Sequence, residues 1–320
     1  MSGIHSRSSE SSRHAGSAGP ADPLAAVISL LRPRTVLSKV VKGSGAWAVR
    51  YEAYRDPAFC LVLDGSCYFD VEGVGLLELK QGDFVLLPVT PAFTLASDLC
   101  VKPQRGVPTR AREVRHGAPS GPASLRLLGG YFQFDSPNAR LLVSLLPPVV
   151  HIRGGEQGAG RLRRIAELIG EEASSDHAGR DLVLERLVEV LIIEALRFRP
   201  ETAGKPEQGL LAGLADPSLA RPLRGIHVDV ARRWTVAELA RTAGMSRAVF
   251  AERFTRKVGM PPMQYVQEWR MALAKDILRR ERPALAEVAE RLGYQSTSAF
   301  STAFARLAGC SPSEFARSAG

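Results

Sequence analysis

The spacing of apolar residues changes character once along this chain, near Gly160. Between Leu30 and Ile152 the apolar runs are short and are broken by Gly, Asp and Pro. Residues 47–51, 59–63, 67–71, 76–79, 84–87, 93–96, 125–128 and 131–134 each have strand length, and Asp64-Gly65 and Gln81-Gly82-Asp83 read as turns between them. Many short strands in close succession predict an all-β barrel or sandwich. Residues 101–122 are basic and rich in Pro and Gly, which predicts a long loop between strands. After Gly160 the period becomes helical: Leu162, Ile165, Ala166, Leu168 and Ile169 form one stripe, and Leu184, Leu187, Val188, Leu191 and Ile192 form another behind Asp181 as a cap. Val183, Val190 and Ile193 widen the second stripe, so this face either meets a second subunit or packs on the barrel of its own chain.

Residues 199–209, RPETAGKPEQG, have the composition of a linker. The first 22 residues are rich in Ser, Gly and Ala, lack the apolar core of a secretion signal, and read as a disordered tail. The expected division is a tail at 1–22, a barrel domain at 23–155, a helical connector suited to dimerisation at 156–200, a linker at 201–213 and a helical domain at 214–320.

The last 90 or so residues contain an internal repeat. Residues 235–244, TVAELARTAG, align with residues 284–293, ALAEVAERLG, so that Glu238, Ala240 and Gly244 recur as Glu287, Ala289 and Gly293. Beyond the glycines the register slips by one residue, and Phe254, Gly259 and Pro262 recur as Phe304, Gly309 and Pro312. Each unit reads as helix, tight turn, helix. Thr235 with Glu238 has capping-box spacing, Gly244 supplies the positive φ of the turn, and Ser246 caps a second helix with Phe250, Phe254 and Val258 buried. In the second unit Ser296 caps, and Phe300, Phe304 and either Leu307 or Ala308 are buried. Pro261-Pro262 opens a long helix between the units, with Val266, Trp269, Leu273 and Ile277 as its apolar stripe. Such a strut, about 27 Å long, suits two reading heads roughly one DNA turn of about 34 Å apart.

A helix-turn-helix presents the exposed face of its second helix to the major groove. Opposite the buried phenylalanines lie Ala248, Ala251, Glu252 and Thr255, edged by Arg247 and Arg256, and in the second unit Thr297, Ser298, Ser301 and Thr302, with Arg306 beyond. Arg247, Ala248, Ala251, Glu252, Arg256, Thr297, Ser298 and Thr302 are the expected base-reading positions, and Thr235, Ser246, Ser296, Ser301 and Arg306 the expected phosphate contacts. Glu252 also stands four residues before Arg256, at salt-bridge spacing.

Charge sharpens this picture. The chain carries 42 Lys and Arg against 33 Asp and Glu, a net +9. Residues 216–320 hold 17 basic against 10 acidic side chains, +7, leaving 25 against 23, +2, for the rest. A surplus concentrated in the repeat domain favours a polyanionic partner. The most apolar later stretch, residues 182–196, carries Glu185, Arg186, Glu189 and Glu194, so no membrane span is expected.

Residues 214–317 resemble the double helix-turn-helix domain of AraC/XylS-type transcription regulators. The likeness rests on GMSRAVFAERFTRKVGMPPMQYVQEWRM in the first unit and strut, and on VAERLGYQSTSAFSTAFARLAGCSPSEF in the second. The resemblance implies seven helices, sequence-specific binding to double-stranded promoter DNA, and control of RNA polymerase through an attached regulatory domain. Several positions facing DNA in that family are short here, so the first reading helix is expected to carry more of the specificity.

Upstream, LVLDGSCYFDVEG and LELKQGDFVLLP, with Gly82-Asp83 and Pro88, resemble the cupin-type barrel found in one branch of these regulators. The resemblance implies a sensor or a homodimerisation unit. Metal-binding cupins use inward histidines and a carboxylate, but none of this chain's histidines lies between His14 and His116, and Phe93 and Cys60 fall where such histidines are usual. No metal, no cofactor and no catalytic role are therefore expected, and His151 is expected to be structural. Trp47, Tyr51, Tyr68 and Phe93 are candidate walls of an effector pocket, or simply core. Cys60, Cys67 and Cys100 raise a redox alternative, against which stands the absence of any neighbour that would activate a thiol. The four cysteines are too scattered for a disulfide scaffold, which favours a cytoplasmic protein. The rival readings are a cupin metalloenzyme with a DNA-binding appendage, a barrel that only dimerises, and a DNA-repair methyl acceptor, whose four-cysteine zinc site the spacings 7, 33 and 210 do not supply.

Overall fold

A computed structural model describes residues 22–54, 56–107, 109, 111–134, 138–139, 143, 146–197 and 208–318. The expected tail at 1–22, apart from Asp22, and most of the expected linker lie outside the described residues.

The described residues of the amino-terminal half form a barrel of ten strands, preceded by a helix that the apolar pattern did not separate from it. Helix α1 (Pro23–Leu31) starts at Asp22, whose carboxylate accepts from the Leu24 amide at 3.0 Å, and it buries Leu24, Val27, Ile28 and Leu31. Strand β1 (Pro33–Ser44) was also unread, since its many polar residues hide the alternation. The remaining strands are β2 (Ala48–Tyr51), β3 (Ala58–Val71), β4 (Gly75–Lys80), β5 (Phe84–Leu87), β6 (Phe93–Ala96), β7 (Gln104–Arg105), β8 (Glu113–Gly117), β9 (Leu125–Phe134) and β10 (Val150–Ile152). They pair in the order β7-β2-β6-β3-β9-β1-β8, with β4 and β5 on β3 and β10 on β5.

Two breaks expected from the sequence are absent from the described strands. Asp64-Gly65 is not a turn. It is an irregularity inside β3, whose first part pairs with β5 and β9 and whose second part pairs with β4 and β6. Gly65 has φ +77°, and a Cβ there would collide with the Ser124 carbonyl, so the residue that signals a turn instead lets one strand cross between sheets. Likewise residues 125–134 form one strand, with Gly129-Gly130 at its centre. The loop expected over 101–122 contains two short strands, β7 and β8.

Helices α2 (Ala159–Ser174) and α3 (Arg180–Arg197) pack on the barrel. Leu184, Val188, Leu191, Ile192 and Ala195 are buried there, whereas Leu182, Val183 and Val190 remain exposed. The carboxy-terminal half begins inside the segment expected as linker, because α4 (Leu210–Ala215) already belongs to it: the Gly209 amide bonds the Lys257 carbonyl at 2.9 Å. Then come α5 (Pro217–Val228), α6 (Val236–Thr242), α7 (Arg247–Val258), α8 (Pro262–Arg280), α9 (Leu285–Arg291), α10 (Thr297–Ala308) and α11 (Pro312–Ser318). From Pro217 to Ser318 the described residues form the seven helices that the resemblance implies, α5 to α11, and Asp216 ends the additional α4 and caps α5.

One buried cluster runs from α1 and the barrel through α2 and α3 into the first helix-turn-helix unit, and a separate cluster on the far side of α8 holds Ile277, Val288, Phe300 and Phe304. The strut therefore supplies side chains to both reading units.

Candidate nucleic-acid interface

In the first unit the Thr235 hydroxyl accepts from the Glu238 amide at 3.2 Å, while Glu238 accepts from the Thr235 amide at 3.0 Å. The chain turns at Gly244, φ +68°, and the Ser246 hydroxyl accepts from the Val249 amide to start α7. Phe250 and Phe254 are fully buried with ring centroids 5.6 Å apart. Their burial decides which face of α7 is left outside. Arg247, Ala248, Glu252 and Arg256 are exposed, and Ala251 and Thr255 are half-buried.

Arg247 has no hydrogen-bond or ion-pair partner among the described residues. Arg256 lies 3.6 Å from Glu252, with the two side chains 64% and 77% exposed, so the pair adds at most about 1 kcal/mol and separates readily. By contrast Arg253 is committed to the fold, its Nε donating to the buried Asp216 at 2.8 Å. Burial alone would raise the Asp216 carboxyl, but the bonds from Arg253 and from the Ser218 and Leu219 amides outweigh it and hold it below the usual range. Val249 is also exposed on α7, at 53%.

In the second unit Gly293 turns the chain at φ +74°, and Ser296 accepts from the Ala299 amide at 3.1 Å to cap α10. Phe300 and Phe304 are buried 5.8 Å apart. Ala308, half-buried against them, completes the stripe, and Leu307 points outward. Ser298 and Thr302 are exposed, Thr297 and Ser301 half-buried, and Arg306 is exposed with Nη2 3.3 Å from Gln267 of the strut.

The phosphate candidates differ in what they have left to give. Ser246 and Ser296 spend an oxygen lone pair on their caps and keep the hydroxyl proton. Thr235 does not: its hydroxyl also donates to Glu238 at 3.0 Å, and the adjoining carboxylate repels a phosphate. The capping box thus engages both the lone pair and the proton of the Thr235 hydroxyl.

Inside the barrel a cavity of about 370 Å³ is walled by Tyr51, Phe69, Phe93, Tyr54 and Tyr131, with Lys39 among them. Tyr51 and Phe93 stack at 5.1 Å. Two expected wall residues lie elsewhere. Trp47 is buried against His116 at 5.6 Å, and Tyr68 projects from the face of β3 opposite the buried Cys67 and Phe69. Tyr54 and Tyr131 were missed because Tyr54 lies outside every strand and Tyr131 follows a glycine pair.

Cys60 lines the cavity and Cys67 is buried beside it in the same strand. Burial pushes both thiols up, Cys67 to about 12, which keeps them protonated and poorly nucleophilic. His151 Nε2 lies 3.3 Å from Asp83, whose carboxylate also accepts from the Lys80 and Gly154 amides. The pair staples β10 to the turn before β5 and so is structural.

A family profile described as cupin matches residues 22–198, and one described as helix-turn-helix domain matches residues 239–318. The cupin match runs through α2 and α3 as well as the barrel. A putative AraC-like transcription regulator of Streptomyces lividans is 38% identical over 296 residues, 92% of this chain and 97% of that protein. The HTH-type transcriptional regulator AlkR of Acinetobacter baylyi is 28% identical over 284 residues, 86% of this chain and 92% of its own. The DNA-binding domain of AdpA, solved in complex with a target DNA, is 30% identical and covers 32% of this chain and 93% of its own, with a TM-score of 0.31. No helix among the described residues is long and apolar enough to cross a membrane. Cupin barrel, double helix-turn-helix and near full-length relatives agree: the chain belongs to the AraC-type transcription regulators.

Proposed function

We propose that this regulator works in the cytoplasm, without a catalytic role, as a homodimer. In this reading it contacts two successive major-groove faces of a promoter through α7 and α10 and acts on RNA polymerase from there. Arg247, Ala248, Ala251, Glu252 and Arg256 read bases from α7, and Thr297, Ser298 and Thr302 do so from α10. Ser246, Ser296, Ser301 and Arg306 hold phosphates. The observation that carries this reading is the uncommitted Arg247 at the first turn of α7, since a free guanidinium there can fork onto guanine. The exposed side chains Leu182, Val183 and Val190 support dimerisation through α3. The raised thiols of Cys60 and Cys67 speak against redox sensing by these two residues.

The barrel is read as a sensor of a small effector rather than a dimerisation unit alone, because it holds a cavity whose aromatic walls include a cation. The test is selection of duplexes from a random library by the full chain, followed by competition assays. Arg247→Ala is expected to lose discrimination at one base position, and Arg306→Ala to weaken all sequences alike. Equal binding of selected and random DNA at physiological salt would overturn the reading.

A further inference from the structure

The barrel lumen carries a charge that the fold leaves without a counter-ion. Lys42 and Lys39 stand three residues apart on β1, and they fare differently. Lys42 Nζ is 2.7 Å from Glu113. Lys39, paired in register with Gly129 on the lumen side shared by Val41 and Leu127, lines the cavity and has no carboxylate in ion-pair reach among the described residues. Its Nζ lies 5.8 Å from the centroid of the Tyr51 ring, and burial pulls its pKa down. A half-buried ammonium that faces an aromatic ring but no carboxylate still lacks a counter-ion, a free-energy cost that a bound anion would recover.

The rest of the wall sets the shape of that anion. Phe93 stacks on Tyr51 and meets Phe69 edge-on at 5.3 Å, giving flat apolar surfaces. A polyol would need hydrogen-bond partners around its whole rim, and this wall is mainly hydrocarbon and aromatic ring. Asp56 is the one acid among the described lining residues; it precedes β3, accepts from Gln133 at 3.2 Å, and disfavours a second negative charge. A volume of about 370 Å³ lies at the low end of small-molecule sites, which span roughly 300–1,000 Å³.

We propose that the cavity binds a compact apolar monocarboxylate, its carboxylate on Lys39 and its hydrocarbon body against Tyr51, Phe93 and Phe69. The inference rests on the effector-sensing reading above and adds the chemical class. The charged pair forms in a desolvated site, so the neutral isostere of a true ligand should bind much more weakly.

The experiment is titration calorimetry on the full chain with phenylacetate, cyclohexanecarboxylate and octanoate, each beside its amide. At least one acid is expected to bind about ten-fold or more tighter than its amide to the wild type. Lys39→Met should abolish that preference while leaving the amide's affinity within about two-fold, and Leu95→Trp, which fills the cavity, should abolish both. The acid-to-amide ratio of the wild type decides the matter even if a variant fails to fold. Amides that bind as well as acids, or a preference that survives Lys39→Met, would overturn the chemical class and leave the sensor reading standing. If none of the six compounds binds, the chemical class is likewise overturned.

Discussion

The side-chain amide of Asn138, on the barrel domain, donates to the backbone carbonyl of Ala272 in the middle of α8 across 2.8 Å, in a buried position. About one helical turn further on, Asp276 of the same helix receives Arg32 at 2.7 Å. The barrel domain thus grips the strut that joins the two reading units at two successive turns.

The grip predicts that the two halves unfold together. Asn138→Ala removes a buried donor and should cost about 1 kcal/mol. Combined with Arg32→Ala it should split one calorimetric transition into two. A double variant that still melts in a single transition would show that the apolar contacts alone couple the domains.

The two turn glycines should respond differently to alanine. Gly244 has φ +68° with nothing near its missing Cβ, so Gly244→Ala should cost about 1 kcal/mol for the backbone alone. Gly293 has φ +74° and the Ala231 carbonyl where its Cβ would be, so Gly293→Ala should cost clearly more, on the order of 3 kcal/mol. Urea unfolding of the two variants measures the difference.

Acid should destabilise the first unit through His227. Its Nε2 meets the Tyr265 hydroxyl at 2.7 Å, its ring lies 4.3 Å from Trp269, and burial lowers its pKa to about 3. The unfolded chain protonates it near 6.5, so the unfolded state binds the extra proton between these values. Stability is therefore full above about 6.5 and falls with pH down to about 3, by up to about 1.4 kcal/mol per unit. Relative to His227→Gln, the wild type should lose ground across that window, as chemical denaturation at several pH values would reveal.

Glu252→Ala should leave stability within about 0.5 kcal/mol, because its partner Arg256 is exposed. It should also relax selection at one base pair, where the carboxylate accepts from a cytosine amino group. Stronger binding to every duplex with unchanged selection would instead make Glu252 a mere partner of Arg256.

The helical half was legible in the sequence because its signals are local. Phe250 and Phe254 lie one turn apart, and Ser246 and Gly259 bracket their helix, so four residues within one short segment fix which face is bare. The barrel was less legible because its geometry is made by distant partners. Gly65 carries the signature of a turn, and only the Ser124 carbonyl, brought close by β9, shows that it kinks a continuous strand. Lys39 carries no signal in the sequence, and only the pairing with Gly129 places it on the lumen side of β1. Thr235 is legible as a cap because its partner Glu238 stands only three residues away.

One 19-residue strut, about 28 Å long, holds the two reading heads. Hydroxyl-radical footprinting of the full chain on a duplex it has selected tests this most directly. For each bound chain the expected result is two protected blocks about 10 base pairs apart on one face of the helix. A single block per chain, or protection spread evenly over unselected DNA, would contradict it.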